Sequence, residues 1–335
     1  MKPTKGYISI GRNLIAEELR KRGIYVKVFE CSGLKSFKAF LHALKSDFDV
    51  IIGTTHIGLI IGGLIKILRR TSFIADFVDE YSLLVKIYPS YLYPILYIII
   101  LLERLFLKIA DAVIVVPKKE YVLLSKKRSN VYKTNLCINL GRFLNVKEKL
   151  INNARIILEK AGVDLNKPKI VYTGGFNKIY NLDLLIRAMK ELPDFQLIMI
   201  GGGEMEYELK RLKKEENLNN VFFLGYLPND IVAGILRLCN IGITLCEIPR
   251  QLKIYEYLAA GLKIVVPKSL LYNEDFEFES CCISTKLNVR DIAEKIKFAY
   301  ISNKKKDKGL HKKLRKYDCK EVKELYANVL MRNLS

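Results

Sequence analysis

The sequence predicts an α/β protein of two Rossmann-like, doubly wound domains. Three observations predict it. Short apolar, β-branched runs alternate with amphipathic stretches of helical period through the whole chain, as strands alternate with crossover helices. Several runs close in a glycine turn or a proline, as at Ile170 to Gly175 and Leu262 to Pro267. And 335 residues, half of them hydrophobic, give each of two domains a full core.

The opening departs from this pattern. A doubly wound domain begins with an apolar strand, a glycine loop and a helix. Here MKPTKGYISIGRN reads as the loop already, and Asn13 to Arg22 follows as an amphipathic helix ending near Gly23. Tyr7 to Ile10 is a stunted strand at most. The expectation is that the reading frame begins upstream of Met1 and encodes one more strand, since a sheet lacking a central member leaves backbone groups unpaired.

Strands are then expected at Tyr25 to Phe29, Val50 to Thr54, Phe73 to Val78, Ala112 to Val116 and Val131 to Ile138. Helices are expected at Ser36 to Ser46, Gly58 to Leu68 and up to Ala110. His56 and Asp79 follow the ends of the second and third runs, where open α/β sheets place ligands. Asp79 would equally suit a helix N-cap. Tyr91 to Leu107, YLYPILYIIILLERLFL, carries an apolar stretch of about a dozen residues, short of the roughly 20 that span a bilayer. Leu92 to Leu102 is apolar all round, which favours partial membrane insertion over an ordinary core helix.

The link between halves contains a helix, Lys147 to Lys160. The second half repeats the alternation: strands at Lys169 to Tyr172, Leu197 to Ile200, Val221 to Leu224 and Ile241 to Leu245, with helices between. Val289 to Tyr300 and Glu321 to Leu330 are helices, and Lys304 to Lys316 is a basic run.

The chain is organised around Glu247 to Pro267, EIPRQLKIYEYLAAGLKIVVP. Pro249 suits the first turn of a helix and Gly261 the residue after its last turn. Lys253 and Glu256 lie three apart, on one face near the N-terminus, whose free N–H groups attract anions. A cation and a dipole end hold a diphosphate. A carboxylate one turn later takes two ribose hydroxyls. That is chemistry for a nucleotide-sugar, set against an ordinary solvated Lys–Glu pair.

The run K-x-x-E-Y-L-A-A-G-x-x-I-V-V-P resembles the nucleotide-binding signature of family-4 retaining glycosyltransferases (glycosyltransferase group 1), which have the GT-B fold. Three more stretches fall in that family's order: IVYTGGFNKIYNLDLLIRA from Ile170, LIMIGGGE from Leu197 and VFFLGYLPND from Val221. The resemblance implies two domains facing across a cleft. The first, residues 1–145, is on the acceptor side; the second, 146–318, binds the donor. A helix within 319–335 crosses back to the first. It implies a metal-independent, hexosyltransferase-type enzyme without cofactor, moving a sugar from a nucleotide-sugar to an acceptor hydroxyl with retention. Lys253 and backbone N–H groups at Gly174, Gly175 and Gly202 would stabilise the leaving diphosphate. Glu256 would hold the ribose, and the loop at Tyr226 would pass the base. Gly11 would match the N-terminal glycine loop, or be a plain turn glycine. Asp79, His56 and Glu247 would serve catalysis at the acceptor and donor sugar.

Two departures matter. The family's loop cations are replaced by Gly175 and by Tyr180-Asn181, leaving Lys178 to compensate. The second carboxylate, Glu247, stands one residue early; it also suits a helix N-terminus. These losses keep open a non-catalytic nucleotide-sugar-binding protein or a partner subunit of an active transferase.

The balance of 56 basic to 35 acidic residues, +21 overall, calls for an anionic partner. Part of it also fits a Lys- and Ile-rich compositional bias. Aromatic residues interleaved with basic ones on a strand platform are not evident, so nucleic acid is not expected. With the apolar stretch, the charge points to a glycan or lipid-linked acceptor and a peripheral place on the inner face of the cell membrane. The seven cysteines form no C-x-x-C pair and are expected to be reduced, as in cytoplasm. Three scattered histidines make a His-based metal site improbable.

Overall fold

The structure is a computed structural model describing residues 7–29, 31, 34–79, 81, 88–273, 276–302 and 309–334. The chain divides into two units, Met1–Cys137 with Lys316–Ser335, and Ile138–Arg315.

In the first unit, α1 (Tyr7–Lys21), α2 (Leu34–Lys45), β1 (Val50–Thr54), α3 (Thr55–Arg69), β2 (Ser72–Phe77), α4 (Tyr93–Ile109), β3 (Ala112–Val115), α5 (Lys118–Ser125) and β4 (Val131–Lys133) follow in order. The strands form a parallel sheet, β1-β2-β3-β4. Strand alternation sorts its side chains onto two faces. Phe73, Ala75, Phe77, Val113 and Val115 pack with Leu59 and Phe106 of α3 and α4. Ile74, Ala112 and Ile114 pack with Ile15 and Leu19 of α1 and with the chain's last helix.

Three expectations are corrected here. Tyr7 to Ile10 is not a strand: it is the first part of α1, so Gly11 lies inside a helix and not in a glycine loop. The helix read from Asn13 begins further N-terminally, and helix formation overrides a four-residue strand tendency. Residues 1–6 lie outside the described residues. Tyr25 to Phe29 joins no sheet among the described residues, and Tyr25 is 88 % exposed. The last strand pairs only over Val131–Lys133.

In the second unit, α6 (Leu140–Leu144) and α7 (Glu148–Lys160) precede β5 (Lys169–Gly175), α8 (Leu182–Ala188), β6 (Gln196–Gly202), α9 (Glu206–Glu215), β7 (Val221–Gly225), α10 (Asn229–Leu238), β8 (Ile241–Ile243), α11 (Leu252–Ala260), β9 (Lys263–Pro267), β10 (Cys282–Thr285), α12 (Val289–Ile301) and α13 (Leu310–Arg315). The parallel sheet runs β10-β9-β8-β5-β6-β7. The chain builds outward from β5 to β7, then returns to β8 on the other side of β5. That reversal is a topological switch point, where open α/β sheets form their ligand crevice.

The last helix, α14 (Cys319–Met331), belongs to the first unit. Its Tyr326, Val322 and Leu330 are buried in the core beside α1. Tyr326 donates to Asp76 of β2 at 2.6 Å, and Arg12 Nε of α1 reaches the same carboxylate at 2.6 Å. Asp76 is wholly buried, so the guanidinium partner is what makes its charge tolerable there. Cys319 forms a disulfide with Cys137. This corrects the expectation that all cysteines are reduced. The two are 182 residues apart, and their pairing depends on the helix returning to the first unit, which no local spacing encodes.

Candidate functional site

The switch point of the second unit gathers most of the donor-side residues. The C-terminal ends of β5 and β6 are paired glycine for glycine, Gly174 with Gly201 and Gly175 with Gly202. Gly201 has φ +131°, and a Cβ there would lie 1.9 Å from the Gly174 carbonyl oxygen. Only glycine lets the two turns approach. Tyr226, after β7, donates a 3.0 Å hydrogen bond to the Gly202 carbonyl, so those two residues meet.

On the other side of β5, the segment from Thr244 to Gln251 leads into α11. Gln251 locks it: its amide accepts from Thr244 Oγ1 at 2.6 Å and donates to the carbonyls of Cys246 and Ile248 at 2.9 and 2.7 Å. Arg250 has φ +61°. Helix α11 starts at Leu252 and ends at Gly261 in the left-handed conformation. Pro249 therefore precedes the helix and is not in its first turn. The shift places Lys253 at the second helical position, closer to the free N–H groups than expected.

Lys253 is 5 % exposed, and among the described residues its ammonium has no hydrogen-bond partner. It faces two rings instead, with Nζ 3.9 Å from the Tyr172 centroid and 4.4 Å from that of Tyr180. Such contacts attract a cation but supply less than a hydrogen-bonded anion. Burial pulls the Lys253 amine down to about 7, against smaller opposing effects of Cys246 and Glu256. Burial pushes Glu256 up to about 7, opposed by Lys253 and Arg142. The site thus holds a cation and a carboxylate that both lack sufficient counter-charge.

Lys178 is exposed, one residue after Asn177 in the turn before α8. Tyr180, in the place of a family cation, walls Lys253 and has its phenol pushed up to about 12 by burial. Glu247 is exposed and accepts a hydrogen bond from the Ser269 hydroxyl. Sequence reading missed Tyr172, Tyr180 and Gln251 as parts of this site. The substitution of aromatic for cation was visible at Tyr180; its contact with Lys253 was not.

In the first unit, His56 and Asp79 follow the adjacent strands β1 and β2. His56 Nδ1 is 2.6 Å from Glu103 Oε1 of α4, a residue not singled out by sequence. Asp79 is half-buried and acts on the Arg12 guanidinium, whose proton is held chiefly by Asp76 against burial. Gly11 is buried in α1, with Cys137 3.5 Å from where its Cβ would be, a packing role. No group of three or more His, Cys, Asp or Glu among the described residues is placed to hold a metal ion.

Two parallel sheets, the second with a glycine-lined switch point, have the architecture of the GT-B fold, and solved structures agree. The chain aligns with Anabaena Alr3699/HepE in complex with UDP-glucose at TM-score 0.74 and 16 % identity, covering 98 % of this chain and 97 % of that one. Sucrose-phosphate synthase (tll1590) from Thermosynechococcus elongatus aligns at TM-score 0.76 and 16 % identity, over 98 % and 93 %. WaaG, a glycosyltransferase involved in lipopolysaccharide biosynthesis, aligns at 0.66 and 14 %, over 98 % and 96 %. Residues 153–317 match the family described as glycosyl transferases group 1. No curated protein matches the chain in sequence.

Proposed function

We propose that the protein is a retaining glycosyltransferase of family 4 that moves a hexose from a nucleotide-sugar to a hydroxyl of a glycan or lipid-linked acceptor, without a metal. The observation that carries this reading is the Lys253 ammonium, buried between two rings and without a hydrogen-bond partner among the described residues, at the N-terminus of α11. A buried cation without an anion is costly, and a diphosphate is the anion that the helix end and the glycine turns also favour. Negative charge grows on that diphosphate as the sugar leaves, so the same contacts favour the transition state. The UDP-glucose and UDP complexes of a fold neighbour support a nucleotide-sugar donor.

The acceptor reading rests on α4. Leu96, Phe106 and Leu107 are buried, while Ile95, Ile98, Leu101 and Leu105 form an exposed stripe beside exposed Arg104 and Lys108. Among the described residues no helix is long and apolar enough to cross a membrane. An apolar stripe flanked by cations lies on an anionic bilayer surface instead.

A thermal-shift panel of UDP-, GDP- and ADP-sugars tests the donor. Saturation at a hundred times the dissociation constant stabilises by about 2.7 kcal/mol. The panel donor that binds, labelled in its sugar, then tests transfer, and the anomeric configuration of the product tests retention. Binding without any release of sugar would favour a non-catalytic role and overturn the enzyme reading.

A further inference from the structure

Two tyrosines join the glycine turn at the end of β5 to the start of α11. Tyr172 is fully buried, and its hydroxyl donates to the Gly175 carbonyl at 2.7 Å. The Tyr180 ring stands edge-on to it, 6.1 Å between centroids at 65°, and lies 3.8 Å from where a Cβ on Gly175 would be. Tyr180 is held there by its neighbour. Asn181 has φ +50° and donates through Nδ2 to the Leu245 carbonyl at 2.9 Å, which ties this turn to the segment leading into α11. Both rings therefore meet the turn on one side and the Lys253 ammonium on the other, at 3.9 and 4.4 Å from their centroids.

An ammonium over a ring face is attracted by the ring's quadrupole, but the contact uses none of its N–H donors. Lys253 thus keeps all three donors, and no described residue takes them up. The same unit contains a lysine of equal burial for comparison. Lys169 spends its donors on the carbonyls of Leu165 and Lys167, at 2.7 and 2.5 Å, as a structural lysine does. Rings hold a cation without competing for its anion. A carboxylate in the place of Tyr180 would neutralise the ammonium and repel a diphosphate.

We propose that Tyr180, together with Tyr172, is a positioning residue for the donor: the two rings seat the Lys253 ammonium, with its donors unspent, for the diphosphate of a nucleotide-sugar. The inference rests on the nucleotide-sugar reading of this site. Burial pulls the amine down to about 7, and the ring faces favour the charged form against it. The other groups that act on Lys253 are Cys246 and, on its own helix, Glu256. Glu256 is acted on in turn by Arg142 of α6, which is bonded to Asp230 of α10. Arg237 of α10 and Lys263 of β9 donate to backbone carbonyls, and the basic side chains of α13 are exposed.

The test uses the full-length protein carrying isotope-labelled lysine, in which the Lys253 resonance is the one lost in Lys253→Met. Two rings at these distances shift its Cε protons upfield. Tyr180→Leu removes one ring face while filling much of its space; Tyr180→Phe keeps the face and removes only the hydroxyl. In Tyr180→Leu the upfield shift shrinks and the titration midpoint of Lys253 falls by about one pH unit. Affinity for UDP, read by calorimetry, then falls about twofold at pH 6 and about tenfold at pH 8, since the ammonium must form before the diphosphate binds it. Tyr180→Phe loses far less in both. A space-filling role gives the opposite sign, because water admitted beside the smaller side chain raises the midpoint towards the ordinary lysine value. A midpoint that rises or stays in Tyr180→Leu, or a Tyr180→Phe as impaired as Tyr180→Leu, overturns the proposal. A parent with the upfield resonance and the Tyr180-dependent midpoint that binds none of UDP, GDP and ADP overturns the nucleotide-sugar reading and leaves the aromatic seat of Lys253 standing.

Discussion

Tyr326 donates a 2.6 Å hydrogen bond to Asp76 across 250 residues of chain, a polar tie between the last helix and the sheet of the first unit. The carboxylate is fully buried, and Arg12 and Thr54 fill its remaining sites. Tyr326→Phe keeps the shape and removes one bond to a buried charge, worth roughly 1.5–3 kcal/mol. Urea unfolding should show that loss, while nucleotide-sugar affinity stays parental, because the donor residues lie in the other unit. Parental stability in Tyr326→Phe would mean that the bond contributes nothing.

The donor site should have a bell-shaped pH dependence. Burial lowers Lys253 to about 7, so above that pH the free protein carries a neutral amine there. A bound diphosphate demands the ammonium, so binding takes up a proton and affinity falls as pH rises, by up to about tenfold per unit. Glu256 is raised to about 7, so below that pH it is protonated. Accepting two ribose hydroxyls demands the carboxylate, so binding releases a proton and affinity falls as pH drops. Calorimetry with UDP-glucose in buffers of different ionisation enthalpy reads both signs. A flat profile between pH 6 and 8 would contradict the coupling of this pair to the ligand.

Each limb should belong to one side chain. Lys253→Ala removes the alkaline limb and costs roughly ten- to a hundredfold in affinity, with a loss in turnover as well. Glu256→Gln removes the acidic limb and acts mainly on donor affinity. Variants indistinguishable from the parent, with the fold intact by circular dichroism, would remove the site assignment.

Attachment to bilayers should require both the apolar stripe and the charge. Leu101→Glu with Leu105→Glu removes two side chains worth about 1.5–3 kcal/mol each when buried. Flotation with anionic vesicles should fall accordingly, and raising salt should weaken the parent's binding, since screening acts over about 10 Å at 0.1 M. Equal binding to neutral and anionic vesicles would argue against the electrostatic part.

Thiol titration checks the disulfide. Denatured, unreduced protein should expose five thiols, those of Cys31, Cys239, Cys246, Cys281 and Cys282, and seven after reduction. Closing so long a loop stabilises by about 5 kcal/mol in the chain-entropy picture, so reductant should also lower the melting temperature. Seven thiols without reductant would remove the bond.

The strand and helix period of the second unit was legible because it is local. Ile170, Leu197, Val221 and Ile241 read as strands from three to seven residues of context and pair in one parallel sheet. Lys253 and Glu256 were legible for the same reason: a three-residue spacing on a helix determines a shared face. Gly261 as a left-handed cap follows from its lacking a Cβ. The start of the chain was misread because Tyr7 to Ile10 has strand-like residues but belongs to a helix, and Tyr25 to Phe29 has strand-like alternation but pairs with no strand among the described residues. Strand pairing depends on a neighbour distant in sequence, which local pattern does not supply.

The sequence by itself determined the fold class, the glycine turns and the pair on α11, because periodicity, the absence of a Cβ and helical spacing act within a few residues. Only the tertiary structure decided that Lys253 is a buried cation between Tyr172 and Tyr180, that Glu103 meets His56, and that Cys137, Asp76 and Arg12 meet the last helix. Those contacts join segments up to 250 residues apart, and burial, which sets the charge state of Lys253 and Glu256, exists only once their own unit has folded.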